Sequence, residues 1–168
     1  MKLSIKNILF VFFFLLLQVI WFNHILLFGK FSPLVYILPL LLLPIQKNET
    51  TSILIAFFVG LFMDISLGTG GVFVATSLIV VYFRKIYFIF IKNQSQDLEN
   101  IEPSKLTISI KFFYYLVFIF ISQMLIYSLE SFNISLIVNK MPIIIGNTIT
   151  TLFFFLFIDI VFINSKEK

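Results

Sequence analysis

The run Val59-Gly60-Leu61-Phe62-Met63-Asp64-Ile65-Ser66-Leu67-Gly68-Thr69-Gly70-Gly71 sets one carboxylate and a glycine-rich turn inside an otherwise apolar stretch. A charge at the centre of a membrane span costs about 2.5–3.5 kcal/mol on insertion scales and normally faces protein or water. Asp64 therefore has either a ligand or proton to hold, or neighbouring helices to bond. Glycines 68, 70 and 71 suggest a phosphate cradle only in part. A P-loop continues into Lys and Ser or Thr, whereas Val72 and Phe73 follow here, which favours a tight turn between two helices. Gly60 lies one helical turn before Asp64 and suits close packing of a second helix.

Other polar groups share the depth of Asp64. Counting from the inner end of each apolar segment at about 1.5 Å per residue places Gln18, Asn23, Asp64, Gln123 and Asn147 at roughly 15–22 Å, a possible single polar layer. Such a layer could take a small polar ligand, but the simpler reading is hydrogen bonding between helices, worth about 0.6–2 kcal/mol each. Arg84 and Asp159 both fall about 10 Å or less from the inner edge, so they could form an interhelical ion pair; otherwise each reaches interfacial water. His24 is the only histidine and no cysteine is present, which removes disulfides, thiol nucleophiles and thiolate metal sites and leaves little for imidazole-based metal binding. No HExxH, no Ser or Cys paired with His, and no carboxylate cluster appears, so no enzyme activity, cofactor or metal is expected.

The elements that must carry these residues are apolar helices. Of 168 residues, 60% are hydrophobic and 12% charged, with a mean hydropathy of +1.09. A single all-α transmembrane domain is expected over residues 1–168, because soluble domains do not reach such values. Its spans are read as residues 8–28, 31–45, 50–67, 71–91, 112–129 and 142–163. The first is too long for a signal-peptide core and lacks a cleavage site, so it is expected to remain as a span. The second, with Pro33, Pro39 and Pro44, is short and either crosses or dips and returns. Glu130–Met141 reads as a mixed connection, and the stretch from Lys92 to Lys111, with Asp97, Glu99 and Glu102, as the one sizeable polar loop.

Basic residues gather on the cytoplasmic side of membrane proteins. With six spans and the N-terminus inside, positions 2, 6, 47, 84, 85, 92, 105, 111, 166 and 168 fall inside, and only Lys30 and Lys140 outside. A five-span arrangement that omits residues 31–45 splits the same 12 charges nine to three. Both put the Gly68–Gly71 turn outside and the loop from Lys92 inside.

The stretch Val59–Arg84, VGLFMDISLGTGGVFVATSLIVVYFR, resembles the MreD family of rod shape-determining membrane proteins, with a Gly-x-x-x-Asp step, a glycine turn and a small-residue helix. The resemblance implies a non-enzymatic, multi-pass component of the bacterial inner membrane with both termini cytoplasmic. Such proteins associate with MreC and, through it, with MreB, RodA and a penicillin-binding transpeptidase in elongasome peptidoglycan synthesis. It also implies a six-helix arrangement similar to the substrate-binding subunits of energy-coupling-factor transporters. A transporter subunit, with Asp64 in a ligand pocket, is the competing expectation.

Overall fold

The computed structural model describes residues 5–27, 29–45, 50–91, 103 and 106–159. The acidic group Asp97, Glu99 and Glu102, the polar turn at 46–49, the C-terminal tail and Lys2, Lys47, Lys92, Lys105, Lys166 and Lys168 lie outside the described residues.

The chain forms α1 (Ile5–Leu17), which continues as a π-helical turn (Gln18–Phe22), then α2 (Ile37–Leu42), α3 (Thr50–Leu67), α4 (Val72–Ile91), α5 (Ile108–Ser131) and α6 (Ile134–Ile158). All regular elements among the described residues are helices, and α3, α4, α5 and α6 are each long and apolar enough to cross a membrane. The apolar part of the first segment is shorter, Asn7–Phe22. At six residues, α2 rises only about 9 Å and cannot span a bilayer as a helix. Six helices are present among the described residues, but they are not six spanning helices.

Boundaries differ from the expected spans where a local group decides the outcome. The expected connection Glu130–Met141 is largely helix: α5 runs on to Ser131, and α6 starts at Ile134 behind Asn133, whose side chain accepts from the Ser135 N–H. Only Phe132 and Asn133 separate the two, with Phe132 in the left-handed region at φ 47°. Pro142, expected to open a helix, instead lies inside α6. The first segment leaves the helix at Phe22 and folds into a turn closed by pairing of Leu27 with Phe31.

Antiparallel hairpins α3–α4 and α5–α6 pack through the α4–α5 contact. Tyr87 and Phe88 of α4 meet Tyr114 of α5 at ring-centroid distances of 5.5 and 5.2 Å, and Tyr87 meets Phe118 at 5.5 Å. Residues 31–45 run through the interior. Val35, Tyr36, Ile37, Leu38, Leu40, Leu41 and Ile45 are all buried, whereas Phe12, Phe58, Phe113 and Phe153 of the long helices point outward. Outward apolar faces around a polar-braced interior are the arrangement expected of helices solvated by lipid.

Candidate functional site: buried polar groups around the central segment

A backbone that is neither helix nor closed sheet can lie at membrane depth only if protein groups satisfy its N–H and C=O groups. Residues 31–45 pose that problem, and the three prolines ease it by removing three donors. Some of the remaining groups bond backbone, within α2 and in the Leu27–Phe31 pairing, and others meet side chains from four helices.

Gln18, at the start of the π-turn, is fully buried and does most of this at the upstream end. Its Oε1 accepts from the N–H groups of Val35 at 2.6 Å and Tyr36 at 3.2 Å. Its Nε2 donates to the Pro33 carbonyl at 3.2 Å and to Asn23 Oδ1 at 2.9 Å. From α6, Asn147 Oδ1 accepts from the Ser32 N–H and Thr151 Oγ1 from the Leu34 N–H, each at 3.0 Å. Asn147 also donates to the Tyr127 hydroxyl at 3.2 Å. Beside them Gly146 leaves room for the Phe31 ring, into which a Cβ would project.

The downstream end of the segment is held by cation and phenol. Arg84, buried in α4, donates from Nη1 to the carbonyls of Leu40 and Leu43, the latter at 2.8 Å, and from Nη2 to Ser52 Oγ at 3.3 Å. A guanidinium thus satisfies the open carbonyls at the end of α2, where the helix dipole favours positive charge. Tyr114 donates to the Leu41 carbonyl at 2.9 Å.

Asp64 stands apart from this cluster and has a different task. Near the end of α3, its Oδ1 accepts from Thr69 Oγ1 at 2.5 Å and the Phe73 N–H at 3.0 Å, and its Oδ2 from the Val74 N–H at 2.8 Å. Two of the three donors are first-turn amides of α4, so a carboxylate from the preceding helix caps the next one. The intervening turn needs positive φ at Gly68 (69°), Gly70 (65°) and Gly71 (106°). Gly60 permits the approach that makes this reach possible: a Cβ there would lie 2.5 Å from Val74 Cα.

The expected ion pair is corrected. Asp159 accepts from Lys111 Nζ at 3.1 and 3.4 Å and from the Tyr115 hydroxyl at 3.3 Å, while Arg84 serves the central segment. Lys111 falls in the first turn of α5, which starts four residues earlier than expected and carries that side chain into the bundle. The five residues expected at one depth do not bond as one network. Gln18, Asn23 and Asn147 bind residues 32–36 or one another, Asp64 binds the α4 terminus, and Gln123 on α5 is buried with no partner for its Nε2. Thr151, Tyr114, Ser52 and Lys111 were not signalled by sequence, because hydroxyls are common in membrane helices and Lys111 was placed in a loop. Among the described residues no three His, Asp or Glu side chains gather as metal ligands.

Fold and composition place the chain among helical membrane proteins whose intramembrane polar groups serve their own backbone. No family model, curated protein or solved structure matches it.

Proposed function

We propose that this chain is a non-enzymatic component of a bacterial cell-shape and wall-elongation machinery, in the role of the MreD family that Val59–Arg84 resembles. It would act as a binding scaffold in the inner membrane, engaging MreC and, through it, MreB, RodA and a penicillin-binding transpeptidase. The observation that carries this reading is where the intramembrane polar groups go: Gln18, Asp64, Arg84 and Asn147 all hydrogen-bond the chain's own backbone. A ligand or proton pathway needs such groups open to solvent or substrate, whereas a scaffold needs them to fix the shape of its outer faces.

On this reading the chain passes the membrane six times, with residues 31–45 as a buried, broken crossing and both termini cytoplasmic. The order of contacts supports that direction. The segment meets Asn147, Thr151 and Gln18 first, the Phe73 end of α4 next, and then Arg84, about 16 Å further along α4.

The test is mild-detergent affinity purification of the tagged chain from its native membranes, with mass spectrometry of co-purifying proteins. Recovery of an MreC-type protein and wall-synthesis enzymes is expected. Recovery of a pair of ATPase subunits without them would overturn the scaffold reading in favour of a transporter subunit.

A further inference from the structure

The first residues of α6 stand clear of the bundle. The Lys111–Asp159 pair and the Tyr115 and Phe155 rings, 5.6 Å apart, set the antiparallel register of α5 and α6. Ser131, the end of α5, lies as far beyond Tyr115 as Asn139 lies before Phe155, so those two residues stand at one level. Residues 134–138 therefore rise about 7.5 Å past α5. Nor does α4 reach them: Tyr87 meets Tyr114 and Phe118, which puts Val72, where α4 begins, level with the end of α5.

This tip is apolar on more than one side. Ile134, Leu136 and Val138 are 80%, 46% and 60% exposed. Successive helical residues turn by about 100°, so Ile134 and Leu136 point in nearly opposite directions. One flat protein face cannot cover both, whereas a fluid apolar medium covers them together. Val138 also continues into exposed Ile145, Ile149 and Phe153, the outward row of α6 that faces lipid. Exposed Ser135 and Asn139 alternate with the apolar residues, a mixture that suits the boundary between headgroups and acyl chains. At 25 residues α6 is about 37 Å long against a hydrocarbon core of about 30 Å, and the excess matches the tip. We propose that residues 134–138 anchor the bundle in the outer membrane interface, taking lipid at the headgroup–acyl boundary as their partner and fixing the height and tilt of α6. The choice of leaflet rests on the crossing order proposed above; the anchoring does not.

Because the chain has no cysteine, single ones at Ile134, Leu136, Val138 and Ile149 can each carry a nitroxide. Collision rates with oxygen and with a water-soluble nickel chelate, measured on the full chain in phosphatidylethanolamine–phosphatidylglycerol vesicles and calibrated with spin-labelled lipids, give the depth of each label. All three tip labels should fall inside the headgroup boundary, shallowest at Ile134 and deepest at Val138, with Ile149 deeper still. In the double variant Ile134→Asn with Val138→Asn, the label at Leu136 should shift toward water while the thermal melt stays unchanged, since neither side chain is buried. Water-like collision ratios at all three tip positions would overturn the anchor and leave the scaffold reading untouched. Shielding of the tip from both reagents would overturn it too, in favour of cover by a second copy of the chain.

Discussion

Asp64 accepts three hydrogen bonds from Thr69, Phe73 and Val74 through both of its oxygens. The two side-chain replacements that match its size or polarity therefore fail to different degrees. In Asp64→Asn one oxygen still accepts, but the amide nitrogen faces an N–H donor; a loss of about 1–2 kcal/mol is expected, the range for a weakened cap. Asp64→Leu leaves the α4 amides unsatisfied and should lose roughly 2–4 kcal/mol, so thermal melts in detergent should rank native above Asn above Leu. Gly60→Ala forces its Cβ into the α4 backbone and should cost about 1–3 kcal/mol, measurable in the same melts. Gly68→Ala meets open space and suffers only the left-handed backbone cost of about 1–2 kcal/mol.

At the scale of elements, the α5–α6 seam carries a buried pair that stands or falls together. Lys111 and Asp159 are both almost wholly buried. Removing one partner leaves an uncompensated charge, so Lys111→Met or Asp159→Leu alone should cost about 3–5 kcal/mol, whereas the double variant should recover most of that loss. A double-mutant cycle on Tm checks this, and additive losses would mean that the two side chains do not meet. The central segment behaves differently, because its partners are dispersed. Arg84→Lys leaves one nitrogen for the Leu40 and Leu43 carbonyls that Nη1 serves together, but removes the second nitrogen of the planar fork, which bonds Ser52, and should loosen the hold on the segment. Its expected effect, about 1–3 kcal/mol, should appear as faster proteolysis or cysteine labelling near residues 40–45.

Across the whole molecule, what sequence made legible was the cost of a residue more than its partner. Asp64, Arg84, Gln18 and Asn147 stood out because polar groups at membrane depth need a reason. Their partners did not, because most are backbone amides and carbonyls of residues 32–43, whose position depends on how the prolines break that segment. Gly60 and the glycine turn were readable as a close-packed hairpin, since steric demands follow from residue type alone. The Lys111–Asp159 pair was missed through a boundary shift of four residues at α5, which converts a loop lysine into a core one. Helix count was nearly readable, yet hydropathy cannot separate a short apolar span from an apolar segment buried in protein. The proposed six-crossing topology predicts that a cysteine at Thr69 or Phe132 reacts with impermeant reagents from the outside, and one at Ile108 from the cytoplasmic side.

Hydrogen exchange at the amides of Ser32, Leu34, Val35 and Tyr36 tests most directly whether the buried polar groups act as clamps on a non-helical crossing. In the native protein these amides, bonded to Asn147, Thr151 and Gln18, should exchange as slowly as those of α4. Gln18→Leu should open Val35 and Tyr36 by at least about tenfold, the equivalent of 1.4 kcal/mol, while α4 stays protected. Rapid exchange at these four amides in the native protein, or no change on removing Gln18, would contradict the account.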